Sequence, residues 1–334
     1  MIIIHHLSSY GQIAEDARRV LPGLMTWLFE YGRYAVQIFL VMAGYLAAQS
    51  LSRYANAKFS AHALLKLILN RYLRLFAPYA AALIFTIVCA YIARLWVNDE
   101  FVGQSETLSQ FLAHLFFIQG ILGLDSISAG AWYVAIDWQL YSILAILFLS
   151  FPRYKAMIWL ISILAVSSLL FFNRSGEYEA YFIYFIGSYG LGVLAYLASG
   201  FQDAGVRRVA KAALILIGII IAAASFQQVW LRNFLAWFVA LALYLWGDAT
   251  YPAINGKDYF LKMIAWGSQR SYCAFLIHFA FILLANTLYI ALGLHTHQSG
   301  ALAIALMLGV VVCSIFAANY FYRWIEFPAN KLKV

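Results

Sequence analysis

Residues 131–149 read AWYVAIDWQLYSILAILFL. About 20 consecutive apolar residues are what a helix needs to cross a bilayer, and this stretch is close to that length. It also holds Asp137 near its middle, with Gln139 two positions on. A carboxylate at the centre of such a helix costs roughly 2.5–3.5 kcal/mol on insertion scales. A charge kept at that cost has either a partner or a task.

The rest of the composition agrees with a membrane helix. Of 334 residues 65% are hydrophobic and 11% charged, and the mean hydropathy is +0.81. Such a chain cannot cover itself with a solvated surface, so the expected fold is all-α, a polytopic membrane helix bundle. About ten transmembrane helices are expected, near 1–10, 34–51, 75–97, 130–150, 156–172, 180–199, 209–226, 230–247, 271–293 and 301–322. The first is too short to cross and reads as truncated; MIIIHH has neither the basic start nor the cleavage site of a signal peptide. Residues 111–124 read as a re-entrant or interfacial piece. The loops 10–33 and 52–74 are too short to form a separate domain, so 1–334 is expected to be a single domain.

Charge sets the expected orientation. With a cytoplasmic N-terminus, the inner loops carry Arg53, Lys58, Lys66, Arg71, Arg74, Arg153, Lys155, Arg207, Arg208, Lys211, Lys257, Lys262, Arg323, Lys331 and Lys333. Outer loops then collect Glu15, Asp16, Glu30, Asp99, Glu100, Glu106, Glu177 and Glu179. This positive-inside pattern puts both termini in the cytoplasm and accounts for most of the net charge of +8 without a nucleic-acid partner. Cys89, Cys273 and Cys313 have no metal-like spacing and read as small core residues, so no metal is expected.

Polar groups inside the apolar segments are the functional candidates. His5 and His6 lie about 100° apart on a helix, so only one of them can face a given target. A neutral imidazole is suited to take a proton from a hydroxyl near neutral pH, although a pair at a helix end can also be merely solvated. Arg71, Arg74 and Pro78 share one helical face in NRYLRLFAPY, as a forked phosphate site would require and as positive-inside anchoring also permits. Asp137 lies on one face with Tyr133 and Tyr141, while Gln139 points nearly the opposite way. His6 is an attractive partner for Asp137, because a carboxylate on one imidazole nitrogen raises the basicity of the other; an ion pair with an arginine is the plainer alternative. In VQIFLVMAGYL the small residues point to close helix packing, and Gln37 reads as an interfacial polar group. His278 in SYCAFLIHFAFILL and Glu326 in FYRWIEFPANKL are weaker signals, a packing residue and a helix-end partner of Arg323.

Taken in order, these stretches resemble the acyltransferase-3 family of bacterial integral-membrane acyltransferases. IIIHHL is similar to the first-span segment that ends in the family histidine, which places His6 there. NRYLRLFAPY resembles the family's RRxxRixP stretch. AWYVAIDWQLY resembles W-S-L-S-V-E-E-Q-F-Y, with Trp132, Gln139 and Tyr141 aligned and Asp137 where the first Glu stands. VQIFLVMAGYL, SYCAFLIHF and YRWIEFP are similar to FFVISGFL, SYSLYLxHxP and YRWxERP. Departures are Trp138 for the second acid, Phe327 for the arginine of ERP, and no arginine upstream of His6.

The resemblance implies transfer of an acyl group, usually acetyl, from cytoplasmic acyl-CoA (acetyl-CoA) to a hydroxyl of an envelope glycan or lipid-linked sugar. It implies a multi-pass protein of the bacterial cytoplasmic (inner) membrane. His6 and Asp137 would be catalytic, Arg71 and Arg74 would hold the coenzyme A phosphates, and His278, Gln139, Tyr141 and His5 would position substrate. A transporter of a small polar metabolite, or an inactive membrane scaffold, is the rival expectation.

Overall fold

The computed structural model of the chain describes residues 1–54, 59–151, 153–228, 230–247 and 258–332. Lys58, Lys257 and Lys333 of the positive-inside count lie outside the described residues. Among those described, the regular structure is all helical. Short helices α1 (Ile2–Leu7), α2 (Gly11–Val20) and α3 (Pro22–Tyr31) precede α4 (Ala35–Leu51) and the long α5 (Ala61–Trp96). After α6 (Leu108–Leu115) come α7 (Ala131–Ser150), α8 (Tyr154–Leu170), α9 (Phe182–Ser199), α10 (Ala204–Ala224) and α11 (Leu231–Trp246). Helices α12 (Tyr259–Ala291) and α13 (Gly300–Phe321) follow, and a π-helical turn at Tyr322–Glu326 leads into the three-residue α14 (Phe327–Ala329).

Among the described residues, seven helical stretches are long and apolar enough to cross a membrane: Pro22–Tyr54, Ala61–Trp96, Ala131–Ser150, Tyr154–Arg174, Phe182–Ser199, Tyr259–Ala291 and Gly300–Ala329. Each contains one of the ten expected spans or matches it closely. The other three expected spans are helical but fall short. Helix α1 has six residues and α11 sixteen, and α10 carries Arg207, Arg208 and Lys211 in its first turns. The supposed loop 10–33 is itself helical, as α2 and α3, and α5 begins at Ala61, well inside the supposed loop 52–74. At 1.5 Å per residue α5 is about 54 Å long, well beyond a hydrocarbon core of about 30 Å. Its amino-terminal third is too polar to read as a span, yet it continues the helix, and Pro78 interrupts nothing. Of the cysteines, Cys89 and Cys273 are buried as expected, whereas Cys313 lies on the exposed side of α13.

The contacts within the expected single domain, 1–334, resolve into two compact units that alternate along the chain. One comprises Met1–Ala35, Leu73–Val134 and the chain from α12 onward. Here α12 packs on α13, α2 leans on both, and α1 lies against α12. Leu7, Ile13, Met25, Leu28, Ile282, Tyr289 and Met307 form the apolar centre. Polar side chains pin the short helices to it. The Asn286 side-chain oxygen accepts from the Ile13 N–H (3.0 Å), and Tyr289 donates its hydroxyl to the fully buried Asp16 (2.8 Å).

The other unit comprises Val36–Tyr72 and the chain from Ala135 through α11. Helix α9 is its axis, packed by α8, α10 and α11. A Cβ on Gly44 of α4 would strike the Tyr189 carbonyl of α9, and one on Gly192 the Val41 carbonyl, so these glycines let two backbones touch. Close packing is thus the role of the MAGY step, as its small residues led one to expect. Gln37 is more than an interfacial group, since it accepts a hydrogen bond from the Ser188 hydroxyl of α9.

Gly44→Ala is expected to lower stability by about 1–3 kcal/mol, the usual cost of overpacking. Gly309→Ala, where a Cβ meets nothing within 4 Å, is expected to raise it by about 0.5–1 kcal/mol, the gain in helix propensity. Thermal loss of the monodisperse peak in detergent checks both.

Candidate active site

In the first unit the two adjacent histidines part company, as the helical angle demands. The His6 ring turns to α12, where its Nδ1 lies 2.6 Å from Nε2 of His278. The ring centroids are 4.9 Å apart and the planes tilt by only 15°, so the rings meet edge to edge in nearly one plane. That is the direction in which an imidazole N–H or lone pair points. On its far side, His278 Nδ1 lies 2.6 Å from the Phe275 carbonyl oxygen. Both histidines are buried, at 9% and 0% exposed.

These contacts determine the tautomers of two neutral imidazoles. A carbonyl only accepts, so His278 Nδ1 carries its proton and His278 Nε2 presents a lone pair. His6 Nδ1 must then donate to it, which leaves the lone pair of His6 on Nε2. That nitrogen has no hydrogen-bond partner among the described residues. Through His278, a backbone carbonyl thus aims a base.

His5 points elsewhere. Its Nδ1 donates to the Leu28 carbonyl (3.0 Å), and its ring lines a cleft of about 500 Å³ together with residues of the segment 29–34. His5 thus faces a cavity while His6 faces another imidazole.

For Asp137 the plainer alternative, an ion pair with an arginine, is the one formed. In the second unit Asp137, 4% exposed, takes two hydrogen bonds from Arg71 on one carboxylate oxygen, from Nε at 3.1 Å and from Nη2 at 2.6 Å. The Arg71 guanidinium also lies over the Tyr141 ring, 5.2 Å from its centroid. An arginine, always charged, neutralises a buried carboxylate at every pH, which a histidine cannot do. The Arg71 side chain is about a quarter exposed, at 24%.

Gln139 turns away from that pair as its spacing predicts, but toward backbone. Its amide donates to the Ala180 carbonyl (3.2 Å) and accepts from the Phe182 N–H (2.9 Å), so it pins the start of α9 with both ends engaged. Trp138, in place of a second acid, packs on Tyr72 and reaches the Ile68 carbonyl. Arg74, three residues beyond Arg71 on α5, belongs to the first unit, where its charge acts on Glu326.

Sequence reading missed the role of Glu326. The π-helical turn Tyr322–Glu326 carries this side chain inward, where it accepts from the buried Cys273 thiol (2.8 Å) instead of pairing with Arg323. The Y-R-W-x-E pattern was the available signal, because a π turn has no hydropathy signature and is common at functional sites.

Several long apolar helices, with a buried histidine pair in one unit and a buried Arg–Asp pair in the other, mark a multi-pass membrane protein. A family model described as an acyltransferase domain matches residues 1–320, and the chain belongs to that family, acyltransferase-3. No curated protein and no solved structure matches it. Membership supports a membrane acyltransferase.

Breaking the buried pair by Asp137→Asn or Arg71→Gln alone is expected to cost about 3–5 kcal/mol. Arg71→Met with Asp137→Leu is expected to recover most of that loss, because no uncompensated charge remains. A double-mutant cycle on thermal stability in detergent checks it.

Proposed function

We propose that this protein transfers an acyl group, acetyl by preference, from cytoplasmic acyl-CoA to a hydroxyl of an envelope glycan or lipid-linked sugar. It does so in the inner membrane of a bacterium. In this reading α1, α10 and α11 join the seven more apolar stretches as membrane segments, and both termini face the cytoplasm, following the distribution of Lys and Arg.

One observation carries the reading. The chain from the Phe275 carbonyl through His278 to His6 leaves an unprotonated Nε2 on the residue that stands at the family's histidine position. His6 Nε2 takes the proton of the acceptor hydroxyl as its oxygen attacks the thioester carbonyl. A C–O bond forms and the C–S bond breaks. The same proton then returns to the departing thiolate, giving the ester and free coenzyme A. While His6 is charged, its Nδ1–H is held by the His278 lone pair, and that hydrogen bond strengthens as the charge develops. His278 is therefore a positioning residue in the place where Asp137 was expected.

The donor's phosphates need cations on the inner side. Arg71 presents a planar, partly exposed guanidinium already oriented by Asp137, a geometry suited to phosphate oxygens, and Arg74 adds a second positive charge. Asp137 thus serves by holding Arg71. Tyr141 supports the same guanidinium with its ring, and Gln139 acts through the start of α9.

The test is transfer from radiolabelled acetyl-CoA, supplied to inverted membrane vesicles, into the glycan and lipid fractions. His6→Ala is expected to slow incorporation by about 10²–10⁴-fold, the range of a lost general base. His278→Gln, which can still accept from His6, is expected to retain more activity than His278→Leu at equal KM for acetyl-CoA. Cys313→Ala serves as the unaffected control. No incorporation by the expressed wild-type protein would overturn the reading in favour of a transporter.

A further inference from the structure

The cleft beside His5 has a lining that the chemistry above does not use. It lies wholly within the first unit and is an open cleft of about 500 Å³, within the range of small-ligand sites. Four aromatic rings wall it: Tyr10, Phe29, Tyr31 and Tyr34. Tyr31 and Tyr34 meet at 82° with centroids 5.7 Å apart, so they form a corner rather than a stack. Between them in sequence lies Arg33, and Glu30 precedes them. Among the described residues neither charge forms an ion pair, and the Arg33 guanidinium lies over the Tyr34 ring, 5.9 Å from its centroid. His5 spends its Nδ1–H on the Leu28 carbonyl and so presents an Nε2 lone pair. Ser9 gives its proton to the His5 carbonyl and presents oxygen lone pairs.

We propose that this cleft is the acceptor site and holds a neutral sugar ring, an inference that rests on the acyltransferase reading above. A pyranose has an apolar C–H face and a rim of hydroxyls that both donate and accept. The tyrosine corner offers flat apolar faces for the first, and Glu30, Arg33, His5 and Ser9 offer acceptors and donors for the second. The donor thioester is a poor fit, since the multiply phosphorylated coenzyme A would meet a carboxylate in the wall. A lipid chain fits worse still, because it satisfies neither charge. The position relative to the base suits an acceptor. The Tyr10 ring forms part of the wall and packs edge-on against His6, 5.9 Å between centroids. A hydroxyl of a sugar seated at Tyr10 therefore approaches the base from the cleft, while His5 takes a neighbouring hydroxyl and sets which one is presented.

The test is binding, read separately from turnover. The full chain in phosphatidylcholine nanodiscs, prepared without sugar-based detergent, is exposed to a panel of methyl glycosides of glucose, galactose, mannose, rhamnose and N-acetylglucosamine. Saturation transfer from protein to ring protons is recorded. At least one glycoside is expected to bind the wild-type protein and to lose about tenfold in affinity in Tyr31→Ala/Tyr34→Ala, in line with the loss of two ring contacts. Binding is expected to persist in Tyr34→Trp, which keeps a flat face, and in His6→Gln, which removes only the base. No glycoside binding above that of the folded double variant would overturn the proposal and leave these rings as interfacial anchors. Glycoside binding without acetyl transfer from labelled acetyl-CoA would instead sink the acyltransferase reading, and transfer without glycoside binding would sink the cleft alone.

Discussion

A carboxylate inside an apolar helix bundle stays charged only if a cation meets it, and Asp137 meets that constraint through Arg71 at 2.6 Å. Within the second unit, α7 and the start of α5 meet at this contact. It sets the rotation of α7 against α5, so that Tyr141, one turn further on, lies over the guanidinium. The neighbouring Trp138 then meets Ile68 and Tyr72 of the same helix. With that face committed, Gln139 is turned to the start of α9, where it satisfies two backbone groups that an apolar residue would leave unmatched. The glycines at the α4–α9 crossing make up the rest of the frame by letting backbone meet backbone.

The first unit solves a different problem. Helix α1 has only six residues, too few to hold itself in water or lipid by its own hydrogen bonds. It is held by side chains instead, through His5 to the Leu28 carbonyl and His6 to His278. Helix α2 is held the same way through Asn286 and Asp16. A histidine that donates from one nitrogen accepts at the other, so a row of imidazoles beginning at a carbonyl has a direction. The bonds that fasten α1 are therefore the bonds that leave a basic nitrogen on His6.

Several features were legible in the residues alone because they sum along contiguous chain. The apolar spans at 75–97, 130–150, 180–199, 271–293 and 301–322 all coincide with helices. The divergence of His5 from His6 and of Asp137 from Gln139 follows from 3.6 residues per turn whatever surrounds them. Family membership was likewise readable from the order of short motifs. Helix α2 and the amino-terminal third of α5 were not, since neither has the hydropathy of a span: α2 is held by tertiary contacts, and the start of α5 continues a longer helix.

The sequence by itself determined that Asp137 needs a partner and that His6 sits in an apolar segment. Only the tertiary structure decided that the partner of Asp137 is Arg71 and that His6 is aimed by His278, a residue 272 positions away. The physical reason is range. Hydropathy and helical phase are properties of neighbours along the chain, whereas a hydrogen bond under 3 Å depends on which helices are brought side by side. Several cations and histidines satisfied the sequence-level requirement equally well, and packing selected among them.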